Sequence, residues 1–174
     1  MNNTVRVLIH GASGRMGQAL LRLASERPDL SVVAAVSRKV ESRAIDGIAQ
    51  FASSELGGVP DFDVAIDFSL PEGFDGILAA CRARGAALVS GTTGLDAAQQ
   101  EALRAAATAI PVLWSANYSL GVAVLNELVE RAAKALYGWD CDIVESHHVH
   151  KQDAPSGTAL ALGAAAERGG AQPR

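Results

Sequence analysis

The sequence predicts a doubly wound α/β fold, in which helices cover both faces of a mostly parallel sheet. Three observations carry this reading. Short runs rich in Val, Ile, Leu and Ala alternate with longer stretches whose apolar residues recur at helical spacing. The first run is followed at once by a glycine turn and then by a helix. Clusters of Gly, Ser and Thr fall after several runs, where the ligand side of such a sheet lies.

Val5 to His10 is the first of these runs and predicts a buried strand. Gly11-Ala-Ser-Gly-Arg-Met-Gly17 follows, then Gln18 to Glu26 with Ala19, Leu20, Leu23 and Ala24 at helical spacing. Strand, glycine turn and helix form the context of a dinucleotide loop, which makes the predicted sheet Rossmann-like. In that reading Gly11 permits the tight turn, Gly14 admits a pyrophosphate to the backbone, and Gly17 lets the helix pack close. A glycine-rich βα turn without a ligand is the simpler alternative, and the G-x-x-G-x-x-G spacing departs from the commoner G-x-G-x-x-G.

Leu30 to Val36 predicts a second strand, ending in Ser37-Arg38-Lys39. This lies about twenty residues past the last glycine, where an adenosine ribose is usually read. No acid stands there to accept from a 2′-hydroxyl. A hydroxyl and two cations suit a 2′-phosphate instead, a solvated strand end being the plainer alternative. Val40 to Phe62 reads as a loop with a short helix or strand. Asp63 to Phe68 predicts a third strand, and Ser69 is expected to cap a helix with Pro71 in its first turn, running to about Arg84 and stopping at Gly85. Ala87 to Val89 predicts a fourth strand that ends at Gly91-Thr-Thr-Gly94. Asp96 opens a helix to about Ala109, and Val112 to Trp114 predicts a fifth strand before Ser115-Ala-Asn-Tyr-Ser119. Gly121 to Leu136 reads as a long apolar helix. Asp142 to Ser146 predicts a sixth strand.

Composition sets the bounds. The 174 residues suit one domain, or one domain and part of a second. Hydrophobic residues make up 49%, enough for a full core, while aromatics at 5% favour closely packed helices on a sheet over a β-sandwich. A net charge of −4 argues against a nonspecific nucleic-acid binder. Cys81 and Cys141 form no C-x-x-C motif, so a reducing, cytoplasmic setting is expected. A signal peptide and a membrane-length apolar run are both missing from the pattern.

The chemistry concentrates in Glu145-Ser-His-His-Val-His-Lys-Gln-Asp-Ala-Pro-Ser-Gly-Thr-Ala159. His147, His148 and His150 can hold or release protons near neutral pH, and Lys151 adds a cation. Ser156-Gly157-Thr158 opens a predicted helix to Arg168, whose unpaired N–H groups would hold an anion, most naturally a carboxylate. A polar surface loop is the plain alternative. A zinc site is the sharper one, but Lys151 would repel a cation and no further ligand cluster lies elsewhere, so no metal is expected.

These motifs resemble one family, dihydrodipicolinate reductase of bacterial and plant lysine biosynthesis. The resemblance rests on Gly11 to Gly17, Asp67-Phe-Ser, Gly91 to Gly94, Ala116-Asn-Tyr-Ser-Leu-Gly-Val122 and the segment Glu145 to Ala159, in the family's order. It implies a dinucleotide-binding domain over 1–118 and the start of a second mixed α/β domain over 119–174. It also implies reduction of a cyclic dicarboxylate by NADPH or NADH. By resemblance, the loop of Gly11, Ala12, Ser13, Gly14, Arg15 and Met16 holds the pyrophosphate and Arg38 contacts the ribose or its phosphate. Gly91, Thr92, Thr93, Ser115, Ala116, Asn117 and Tyr118 line the nicotinamide side. His147 is then the proton donor, Lys151 the second acid/base or charge stabiliser, and His148, Ser156, Gly157 and Thr158 hold substrate. Ser37 replaces an acid common in members that use NADH well, so NADPH is the expected preference. The chain stops at Arg174 where members continue for several tens of residues, so C-terminal truncation is expected. Full-length members are homotetramers, and a chain lacking the last strands would assemble poorly. A non-catalytic dinucleotide-binding remnant is the alternative function.

Overall fold

The structure, a computed structural model, describes residues 4–40, 42, 44–45, 47–147, 149 and 155–172. Two compact units divide the chain, Met1–Ser115 and Ala116–Arg174. The first contains, in order, β1 (Val5–His10), α1 (Arg15–Ser25), β2 (Leu30–Ser37), β3 (Ala44–Ile45), β4 (Ile48–Ala52), β5 (Val64–Asp67), α2 (Pro71–Arg84), β6 (Ala87–Ser90), α3 (Ala97–Ala106) and β7 (Val112–Trp114). Its sheet has the order β3-β4-β2-β1-β5-β6-β7. The six strands from β4 to β7 run parallel, and β3 joins the edge antiparallel to β4. The chain leaves β1 for β2 on one side and later adds β5 on the other. That reversal opens a crevice beyond the carboxyl ends of β1 and β5.

The strands are rich in apolar residues because both faces are buried over most of their length. Along β1, Leu8 joins one core with Val36, Phe74, Ile77 and Leu88. Val7 and Ile9 point the other way, to Ala12, Ala35 and the α1 residues Leu20 and Leu21. Alternation at period two thus feeds two cores from one strand.

The second unit contains α4 (Leu120–Ala135) and α5 (Gly157–Arg168). Ser156 caps α5 by accepting from the N–H of Ala159 at 3.1 Å. Ala165 and Ala166 are buried, and Arg168 donates to Glu130 of α4 at 2.8 Å.

Several expectations need correction. Asp142 to Ser146 is not a strand, since a strand needs a hydrogen-bonded neighbour and none pairs with it among the described residues. α1 starts at Arg15, because Gly14 already has the extended backbone of a cap. α2 is preceded by Leu70 in the cap position. Ser69 instead gives its N–H to Asp67 and its hydroxyl proton to the Leu70 carbonyl. α3 ends at Ala106 rather than Ala109. The stretch Val40 to Phe62, expected to hold a short helix or strand, contains the edge strand β3, its neighbour β4 and a 3-10 turn at Ser53–Gly58.

Gly17 sets how closely α1 approaches the turn. A Cβ there would stand 2.3 Å from the Gly11 carbonyl oxygen and 2.5 Å from the Ala12 Cα. Both are backbone atoms and cannot swing aside. Gly17→Ala should therefore lose about 1–3 kcal/mol to overpacking, more than the roughly 1 kcal/mol that alanine gains over glycine inside a helix. Urea unfolding should show a lower midpoint. An unchanged or higher midpoint would mean that α1 stands off without cost.

Candidate functional site

At the switch point lies a cavity of about 570 Å³, lined by residues that include His10, Gly11, Ser13, Gly14, Arg38 and Phe68. A second cavity of about 420 Å³ adjoins it, sharing Ser13 and Arg38 and adding Gln18, Ser37, Lys39 and Gln50. Together they run from the ends of β1 and β5 to the end of β2.

The glycine turn is held by the sheet. Gly11 and Ala12 both donate their N–H to the Val36 carbonyl, at 2.9 and 3.0 Å. Ser13 donates its N–H to the Ser37 hydroxyl oxygen at 3.0 Å, and Gly14 donates to the Gly11 carbonyl at 3.0 Å. Gly11 takes φ +78°, and a Cβ there would strike the Phe68 carbonyl oxygen at 2.4 Å. α1 then opens with no side-chain cap and no acid in its first turn. The N–H groups of that turn lack acceptors within the helix and favour an anion. With Arg38 exposed beside them, the donor set fits a dinucleotide's phosphates.

Ser37 is buried, against the solvated strand end of the plainer alternative, and its oxygen accepts from the Ser13 N–H. Arg38 and Lys39 are exposed as expected.

Beneath the cavity lies a buried polar network that the sequence reading missed. Asp67, at the end of β5, is fully buried. It accepts from His10 Nδ1 at 2.9 Å, the Ser69 N–H at 3.1 Å, and the hydroxyls of Ser90 and Thr92, each at 2.8 Å. Desolvation pushes this carboxyl up, but the bonds from His10, Ser69 and Thr92 and the proximity of His10 outweigh it. They hold the carboxyl below the ordinary 3.8. An ionised Asp67 accepts only, so His10 carries its proton on Nδ1. Ser53 stands 3.2 Å from Nε2. A polar residue ending each apolar strand, His10, Asp67 and Ser90, was the available signal.

The expected nicotinamide residues divide. Thr92 is buried, with its hydroxyl on Asp67 and its carbonyl accepting from Trp114 Nε1 at 2.9 Å. Gly91 faces the Phe68 ring, which a Cβ would overlap at 2.2 Å. Thr93 is exposed, and the Ser115 N–H donates to the Ser90 carbonyl at 3.1 Å. In the second unit, Ala116 and Tyr118 are exposed, and Asn117 donates to the Thr158 hydroxyl at 3.2 Å.

At the start of α5, the Glu145 carboxylate accepts from both the N–H and the hydroxyl of Ser156. His147 Nε2 lies 3.7 Å from the same carboxylate. Gly157 and Thr158 form the first turn of α5. Glu145 thus draws His147 and the helix start together, a role its place at the head of the histidine segment did not reveal. His148 and Lys151 lie outside the described residues.

Two family models match this chain. The one described as dihydrodipicolinate reductase, N-terminus, covers residues 5–118, and its C-terminal counterpart covers residues 121–174. The chain belongs to the dihydrodipicolinate reductase family. Relatives named 4-hydroxy-tetrahydrodipicolinate reductase include one from Stenotrophomonas maltophilia, 69% identical over 99% of this chain and 74% of its own length. Another, from Xylella fastidiosa, is 63% identical over 100% of this chain and 74% of its own length. A dipicolinate-bound dihydrodipicolinate reductase from Paenisporosarcina sp. TG-14 superposes with a TM-score of 0.72 at 26% identity, covering 94% of this chain and 65% of that one. Family membership makes the chain an NAD(P)H-dependent oxidoreductase of the lysine pathway by kinship, with a Rossmann-like sheet. No helix among the described residues is long and apolar enough to cross a membrane.

In this reductase-family chain, Asp67→Ala should cost about 3–5 kcal/mol, because four donors lose a buried acceptor. The depressed carboxyl also fixes a pH dependence. Its contribution is full above the ordinary value of 3.8 and fades as pH falls from there through the lower folded value. Urea unfolding of wild type and Asp67→Asn should converge below about pH 4 and separate above it. Parallel curves would remove Asp67 from the acid response.

Proposed function

We propose that this chain reduces dihydrodipicolinate, which forms from 4-hydroxy-tetrahydrodipicolinate when the 4-hydroxyl leaves as water, to tetrahydrodipicolinate on the diaminopimelate route to lysine, residues 1–118 serving the dinucleotide and 119–174 the substrate. The observation that carries the chemical part is the cluster of Glu145, His147 and Ser156 at the start of α5. The dipicolinate bound by the Paenisporosarcina relative supports a cyclic dicarboxylate as substrate.

The bound nicotinamide supplies hydride to the ring. The chain supplies the rest. Ser156 is committed to Glu145 and to the Ala159 N–H, so it shapes the helix start. The N–H groups of Gly157 and Thr158 then remain for a substrate carboxylate. His147 gives a proton to the reduced ring, and the Glu145 carboxylate, 3.7 Å from Nε2, positions its imidazole. His148 and Lys151 add substrate contacts and a second acid or fixed charge. In the first unit, the α1 N-terminus and Arg38 hold the phosphates, while Gly91, Thr93 and Ser115 border the nicotinamide. Thr92 fixes that loop through Asp67.

His147→Gln and Lys151→Ala should each slow turnover by roughly a hundred- to ten-thousand-fold, with NADPH affinity nearly unchanged. Steady-state kinetics beside a fluorescence titration separate the two effects. Near-normal turnover by His147→Gln would take that residue out of the chemistry.

NADPH should bind more tightly than NADH, by less than about tenfold. Arg38 and Lys39 attract a 2′-phosphate, yet their exposure lets salt screen the gain. Ser37→Glu should move the preference towards NADH by adding repulsion. Titrating both cofactors at two salt concentrations tests this. An unchanged ratio in Ser37→Glu, or a wild type that favours NADH, would overturn the assignment.

A further inference from the structure

Gln50 stands on β4, where it pairs with Ala35 of β2, two residues before Ala52 pairs with Ser37. Residues two apart share a face, so Gln50 lies on the side of Ser37. It lines the 420 Å³ cavity with Ser13, Ser37, Arg38 and Lys39. The residue is 8% exposed, and its Nε2 is buried without a hydrogen-bond partner among the described residues. Such a donor normally finds an acceptor. Its neighbours on β4 are Ala49 and Phe51, and an apolar side chain would fill the position without stranding a donor.

The cavity therefore gathers one buried donor and two exposed cations. Beside it, Ser37 accepts from Ser13 through its oxygen and keeps its hydroxyl proton to donate. What this donor set lacks is an acceptor-rich anion. We propose that Gln50 is a specificity residue for a phosphate monoester on the adenosine ribose, its Nε2 supplying the buried donor while Arg38 and Lys39 supply charge. This rests on the reading that the cavity takes the ribose end of the cofactor. It adds β4 to the end of β2 as a place where NADPH and NADH are told apart.

Calorimetric titration of NADPH and NADH into wild type, Gln50→Met, Gln50→Glu and Arg38→Ala tests it, with thermal melting of each ligand-free protein. Gln50→Met keeps length and removes the donor. It should weaken NADPH about tenfold, the loss of one charge-assisted bond, and leave NADH within about twofold. Its ligand-free melting temperature should equal or exceed wild type. Gln50→Glu should bind NADH in preference to NADPH. Equal weakening of both cofactors by Gln50→Met, or a lowered melting temperature with unchanged NADPH affinity, would make Gln50 a packing residue and overturn the inference. Weakening of NADH alone would mean that the amide oxygen faces the ligand, which also overturns it. If Arg38→Ala weakens NADPH and Gln50→Met does not, the ribose assignment stands and Gln50 falls. If neither does, both fall.

Discussion

A single buried carboxylate holds the ligand side of this sheet in order. Asp67 has no solvent to compensate it, so its charge is tolerable where several donors converge on it. Those donors come from the ends of β1 and β6 and from the loops after β5 and β6. Their shared acceptor fixes three adjacent strand ends relative to one another. The Gly11 turn, the Phe68 backbone that packs on it, and the Gly91 loop against the Phe68 ring all hang from that knot. The apolar cores on either face supply most of the burial energy, but they do not choose where the strand ends stop. The polar network does.

Much of the fold was legible from the sequence because its signals are local. Buried parallel strands leave continuous Val, Ile, Leu and Ala runs, and β1, β2, β5, β6 and β7 lie close to their expected places. Gly85 and Ser156 mark helix ends by chemistry that needs no partner elsewhere. What failed depends on partners distant in sequence. The stretch Asp142 to Ser146 has strand-like composition, yet pairing decides a strand. The partner of the Ser37 hydroxyl, the Ser13 N–H, lies 24 residues away and could not be read from the strand end alone.

The candidate site divides in the same manner. The glycine turn, Arg38 and the histidine segment announce themselves through residue type and spacing. His10, Asp67 and Glu145 do not, since each acquires meaning from a contact made in the fold, and Gln50 does not, since strand pairing is what buries it beside Ser37. Asp67 lay inside a recognised motif and still gave no hint that it would bind four groups.

The satisfied backbone of the glycine turn has a kinetic meaning. Gly11, Ala12, Ser13 and Gly14 all place their N–H groups on acceptors within the protein before any ligand arrives. The turn's conformational entropy is thus lost once, when the chain folds, and not at each encounter with a dinucleotide. Association then needs no loop closure at this end of the cleft, and its rate is set by diffusion and by the charge of Arg38 and Lys39. A chain that takes up a fresh dinucleotide at every turnover gains from that arrangement, because the turn need not be ordered again each time.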